Sequence, residues 1–217
     1  MSNNFIENLK TGDLVLVNGQ STNFFYRLFG SLIKYGTHSN YTHVGIIVRD
    51  PNFIDNPLKG IYIWESSWEG TPDPQDEKVK LGVQLTLLQD FIKNNKGSKI
   101  LFRKLKCLEN TFTTEKLKNI HTVVYNKPYD IVPKDWIEAL LRIDDNPQKT
   151  NRFWCSALVG YIYTQCGLLK ANTDWSILRP CDFSLDGQTV EILNGSLYNE
   201  EILLDESNIE NIKVINL

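Results

Sequence analysis

The chain has 217 residues, 41% of them hydrophobic and 23% charged, a balance that excludes wholesale disorder. Its net charge of −3 lacks the basic surplus of a protein that holds nucleic acid by bulk electrostatics. Four cysteines without a C-x-x-C pair and three histidines without an H-x-x-x-H pair suggest neither a disulfide framework nor a zinc site, so no metal or cofactor is expected.

The N-terminal ten residues carry no signal-peptide apolar run, and no stretch of about 18 apolar residues occurs, so the expectation is a cytoplasmic protein without a transmembrane segment. Gly12–Gly19 reads as a short buried strand. Ser21 or Thr22 then caps a helix with apolar positions from Phe24 to Ile33, stopped by Gly36. Core packing is the first reading of that face; a peripheral membrane contact is the other. Thr42–Val48 and Ile61–Glu65 read as antiparallel neighbouring strands, and Ser66–Lys80, with two prolines and four acidic residues, as an exposed loop and a lid. Gly82–Thr86 and Ile100–Leu105 give two more strands. Leu117, Ile120 and Val124 mark one helix face, and Trp136, Ile137, Leu140 and Leu141 another. A fourth helix runs through Trp154, Ala157, Leu158, Tyr161 and Ile162, capped by Thr150 or Asn151 and stopped by Gly167. Short strands and turns follow Asp182. Without a regular βαβ alternation, the fold class expected is α+β, in a single domain over residues 1–217.

Cys155 falls in the first turn of that fourth helix, where unpaired backbone N–H groups and the helix dipole favour a thiolate. Cys166, at the opposite end, is assigned to the core. A thiolate needs a cationic or basic partner, and His43 lies in a strand beside Gly45, which leaves room for an approaching helix. His38 and His121 read as surface residues. Glu65 ends the neighbouring strand on its Ile61/Ile63 face, where a carboxylate is out of place unless it orients an imidazole.

Gly12-Asp13, Thr42-His43-Val44-Gly45-Ile46 and Phe153-Trp154-Cys155-Ser156-Ala157-Leu158-Val159 together resemble the NlpC/P60 superfamily in its circularly permuted branch, which includes YiiX-like and poxvirus G6-like proteins. His43 precedes Cys155 by about half the chain, the reverse of the order in ordinary papain-like enzymes. Trp64-Glu65-Ser66, Arg103, Asn126-Lys127-Pro128-Tyr129-Asp130 and Arg179-Pro180-Cys181-Asp182-Phe183 echo weaker family positions, and the resemblance covers about residues 11–185, leaving 186–217 as an extension. It implies a permuted papain-like fold, an antiparallel sheet or partial barrel packed against the Cys helix. Its activity would be that of a thiol peptidase or amidase with Cys155, His43 and Glu65 as triad. Tyr41 would be an oxyanion donor beside the Cys155 backbone N–H, and Trp154 a pocket residue. The same branch allows a lipid acyltransferase or lipase, and a non-catalytic binding module is the reading of another class. The expected partner is accordingly a peptide, amide or acyl-ester substrate. The composition, rich in Asn, Ile and Lys, points to an AT-rich viral or bacterial source.

Overall fold

The computed structural model describes residues 5–19, 39–132, 148–187 and 189–204. The helix expected over Ser21–Gly36, His38, and the helix face Trp136–Leu141 lie outside the described residues. In chain order the strands are β1 (Leu14–Asn18), β2 (Tyr41–Arg49), β3 (Ile61–Ser67), β4 (Pro72–Asp73), β5 (Lys78–Val79), β6 (Gly82–Leu87), β7 (Lys99–Arg103), β8 (Leu105–Cys107), β9 (Gly195–Leu197) and β10 (Ile202–Leu203). The described α-helices are α1 (Leu88–Asn94), α2 (Thr114–Val124) and α3 (Cys155–Gln165). Six strands build an antiparallel sheet in the order β10-β7-β1-β2-β3-β6, and with these helices the arrangement is α+β. The segment after residue 186 contributes to it: β10 is an edge of the sheet and β9 pairs with β8.

Alternation along the central strands divides the core in two. Leu14, Leu16, Val44, Ile46, Val48, Tyr62 and Trp64 face the larger cluster, which holds the body of α3 and the Leu117, Ile120 and Val124 face of α2. Val15, Val17, Ile47, Ile61 and Ile63 face the smaller cluster with Leu88 and Phe91 of α1. The Cys155 helix therefore covers the Val44/Ile46/Val48 face, not the His43/Gly45/Ile47 face expected for it. Being buried all round from Cys155 to Thr164, α3 needs the deeper of the two cores. Its end follows the sequence: Gly167 is left-handed at φ 77°, Leu168 N–H donates to the Tyr163 carbonyl at 2.8 Å and Gly167 N–H to Thr164 at 3.0 Å, a Schellman stop.

Three boundaries differ from expectation. β3 runs past Glu65 to Ser67, because Ser66 and Ser67 pair with Val83 and Gly82. Residues 66–80 are not simply an exposed loop: the β4–β5 hairpin is pinned by the fully buried Asp73, which accepts from Lys80 Nζ at 2.7 Å and from the Gln75 side chain. The expected strand over Ile100–Leu105 breaks at Lys104, where β7 leaves the main sheet and β8 turns to β9. The turn into β8 is held by the buried Asp13 carboxylate, which accepts from Leu105 N and Lys10 N and whose pKa burial raises.

Gly45 makes room for side chains of β3, not for a helix. A Cβ there would lie 2.5 Å from Ile63 Cγ2 and 3.4 Å from Glu65 Cβ. Gly45→Ala should therefore cost about 1–3 kcal/mol by overpacking, read as a lower urea midpoint; an unchanged midpoint would contradict this packing.

Candidate active site

β2 and β3 exchange pairs only from Ile46/Trp64 to Arg49/Ile61. Beyond that point the strands part, and the chain ahead of α3 is fastened at the parting. Ser66 Oγ donates to the Phe153 carbonyl at 2.6 Å, and the same carbonyl accepts Asp130 N–H at 3.2 Å. Phe153 N–H donates to Pro128, Tyr129 N–H donates to Leu81, and Val83 N–H donates to Lys127, so backbone pairing runs from β6 through residues 127–130 to Phe153. Gly82 permits this approach: a Cβ there would meet the Lys127 carbonyl at 2.3 Å.

The ladder sets where α3 begins. Its N-cap is Trp154, extended at φ −87° and ψ 174°, and not the expected Thr150 or Asn151, because Phe153 is already held in extended backbone. Cys155 is thus the first helical residue, one of the positions whose N–H has no partner within a helix. Ser156 Oγ and Trp154 Nε1 both donate to the Leu178 carbonyl, at 2.7 and 3.3 Å, and hold this end of the helix from the far side.

His43 is 1% exposed and Glu65 wholly buried, and the period-2 rule placed Glu65 correctly on the Ile61/Ile63 side. His43 Nε2 meets Glu65 Oε2 at 2.6 Å. The imidazole is also hydrogen-bonded by the Cys155 side chain. Burial by itself would push the imidazole below its ordinary 6.5. The charge and hydrogen bond of Cys155, followed by those of Glu65, outweigh it and raise His43 to about 10. One imidazole is therefore shared by two acidic groups, all three out of water.

The remaining expected residues are structural in their contacts. Tyr41 packs in the larger cluster and its hydroxyl donates to Glu201, whose other oxygen accepts Leu185 N–H at 2.7 Å. Burial, then the Glu201 carboxylate, raises the Tyr41 phenol well above its ordinary value. Trp154 is nearly buried and spends its indole N–H on Leu178. Arg103, also buried, donates to the Phe183 and Tyr198 carbonyls at 2.8 and 3.0 Å. Cys166 is a core thiol, pushed up to about 12 by burial. His121 is not a surface residue: its ring is half-buried among Phe53, Trp64 and Tyr125 and donates from Nε2 to Gln75 Oε1 at 2.6 Å. The β4–β5 hairpin folds over it, a long-range contact that helix periodicity does not reveal.

Two neighbours of the site were not expected there: Tyr129 had only a weak family echo in the sequence, and Phe91, on a helix that the sequence pattern did not reveal, had none. Tyr129 is held beside Phe153 by backbone pairing; burial, then the charges of Cys155 and Asp130, push its phenol up. The Phe91 ring of α1 lies 6.0 Å from the His43 ring and roofs the imidazole.

No family model matches the chain, and no curated protein matches it. Among solved structures, one described as the metalloprotein yiiX from Escherichia coli O157:H7 is similar over 91% of this chain and 97% of its own, at 16% identity and a TM-score of 0.45. At that similarity the functional reading comes from this chain's own side chains. Among the described residues no group of three His, Cys, Asp or Glu side chains is gathered as a metal site, and no helix is long and apolar enough to cross a membrane.

The raised value of His43 carries a sign. The stability its charged form lends is fully present below about 6.5, the unfolded value, and is lost as pH rises through about 10. Ring-proton NMR should show His43 charged at neutral pH with its transition near the upper value. Glu65→Gln should lower that transition, because the ring loses the carboxylate's charge; a wild-type transition near 6.5 would contradict the contact with Cys155 and Glu65.

Proposed function

We propose that the protein is a cysteine hydrolase of the peptidase or amidase type, a member of the circularly permuted NlpC/P60 (papain-like) superfamily in its YiiX-like, poxvirus G6-like branch. The observation that carries the proposal is the His43 ring held between Glu65 and Cys155, with Cys155 at the first residue of α3. The chain order His43, Glu65, Cys155 supports the permuted assignment.

Each part has a chemical task. The imidazolium of His43 and the N-terminal end of α3 both stabilise a thiolate at Cys155, the nucleophilic form. Attack of that sulfur on a substrate carbonyl forms the C–S bond and moves the carbonyl electron pair onto oxygen. The backbone N–H of Cys155 is positioned to receive this oxyanion. The hydroxyl of Tyr41, the other donor expected, is engaged by Glu201. As the C–N or C–O bond breaks, His43 gives its proton to the leaving group and Glu65 keeps the ring oriented. Water, deprotonated by the now neutral His43, then attacks the thioester and releases the acid, returning thiolate and imidazolium.

Panels of short peptides, isopeptide-type amides and acyl esters, assayed with wild type and Cys155→Ala, test the proposal. Turnover of an amide by wild type, reduced about a thousandfold or more in the variant, is the expected result. Turnover of esters with long acyl chains alone would move the assignment to a lipid enzyme. Equal activity of variant and wild type would remove Cys155 from the chemistry.

A further inference from the structure

After Trp64 the strand β3 loses β2 as a neighbour but keeps β6, through the pairs Glu65/Gln84, Ser66/Val83 and Ser67/Gly82. Its last three residues are therefore laddered on one side, yet all three are buried. Gln84 stiffens this end. From its place opposite Glu65 it reaches diagonally along β3, and its Nε2 donates to the Ser67 hydroxyl at 2.9 Å and the Ser67 carbonyl at 3.1 Å. Alternation then gives two adjacent residues opposite tasks. Glu65 points to the smaller cluster and meets His43 Nε2 at 2.6 Å. Ser66 points to the larger cluster, and its hydroxyl donates to the Phe153 carbonyl, also at 2.6 Å.

The Phe153 carbonyl is not part of α3. The first bond of that helix runs from Leu158 N–H to the Trp154 carbonyl at 3.1 Å, so Phe153 ends the approach to the helix, two residues ahead of Cys155. Other contacts of Phe153 fix different things. Its ring packs against Tyr161 of α3 and Trp175 of the segment after α3, with centroids 5.5 and 5.7 Å away, which holds it to its own helix. Asp130 N–H, at 3.2 Å on the same carbonyl, ties it to residues 127–130, which lean on β6. The Ser66 hydroxyl runs from β3 itself to Phe153 with no element between. One dipeptide, Glu65-Ser66, thus grips the imidazole on one face of the sheet and the start of the Cys155 helix on the other.

We propose that Ser66 is a positioning residue that sets the separation of Cys155 and His43, by fastening the start of α3 to the residue next to Glu65. The proposal deepens the acyl-transfer reading above and rests on it for the effect on turnover, though not for the geometry. Without the hydroxyl, the start of α3 is held through its own core and through β6, and the sulfur can draw back from the ring. The imidazolium then stabilises the thiolate less, while Glu65 keeps its hold on Nε2.

Ser66→Ala and Ser66→Thr test it on the full chain: alanine removes the donor, and threonine keeps it in a residue suited to a strand. Among the described residues the titratable groups facing the sulfur are His43 from β2 and Tyr129 from residues 127–130, and neither substitution alters them. Iodoacetamide alkylation of Cys155 at neutral pH should slow about three- to tenfold in Ser66→Ala, and its pH midpoint should rise toward that of an ordinary thiol. The ring transition of His43 should fall in the same variant, because the imidazolium loses part of the sulfur's charge, and Ser66→Thr should restore both. Alkylation slowed equally at every pH, with the midpoint and the His43 transition unmoved, overturns the proposal. So do profiles identical to wild type, or a threonine variant as impaired as the alanine. If wild-type Cys155 reacts no faster than Cys107, the hydrolase reading fails, and the His43 transition in Ser66→Ala still decides the role of Ser66.

Discussion

The structure depends on one buried imidazole with two claimants. His43 is almost wholly out of water, and an isolated charge in that position would be neutralised by a shifted pKa. It stays charged because Glu65 and Cys155 approach it together. That meeting joins two parts of the chain that share no secondary structure, an early hairpin and a late helix. Much of the fold can be understood as the means of bringing them to one point. The hairpin supplies rigidity through the β2–β3 register, and the ladder from β6 through residues 127–130 to Phe153 sets the first turn of α3.

The parting of β2 and β3 beyond Ile46 and Trp64 reconciles two requirements that otherwise conflict. The body of α3 is buried on every side and belongs in the larger core, on the Val44/Ile46 face. His43 belongs to the opposite alternation of the same strand, on the side where Phe91 of α1 covers it. Where the strands separate, Cys155 at the tip of α3 reaches the imidazole, and Ser66 Oγ on the Phe153 carbonyl holds the tip there. Covering the ring with α1 excludes water from the pair and so strengthens its electrostatics, at the cost of burying polar atoms that must find partners.

Local patterns made part of this legible in the sequence. Period-2 alternation gave the two central strands, their antiparallel pairing and the inward face of Glu65. Period 3.6 gave the α2 and α3 faces, and Gly167 gave the stop of α3 through a conformation that glycine adopts cheaply. What stayed hidden depends on partners distant in the chain. The cap of α3 moved to Trp154 because Phe153 pairs with residues 128–130, and the face that α3 covers was set by core volume. Residues 66–80 read as a polar loop because burial of Asp73 is repaid only by Lys80 and Gln75 in three dimensions. The hydroxyl of Tyr41 is engaged by Glu201, from a segment whose composition shows no sign of it.

The rate at which iodoacetamide alkylates Cys155 at about pH 7, in wild type and in His43→Ala, tests the central pairing most directly. A sulfur facing a charged imidazole should react faster than Cys107 and lose that advantage in His43→Ala. A rate no greater than that of Cys107, and indifferent to His43, would contradict the pairing.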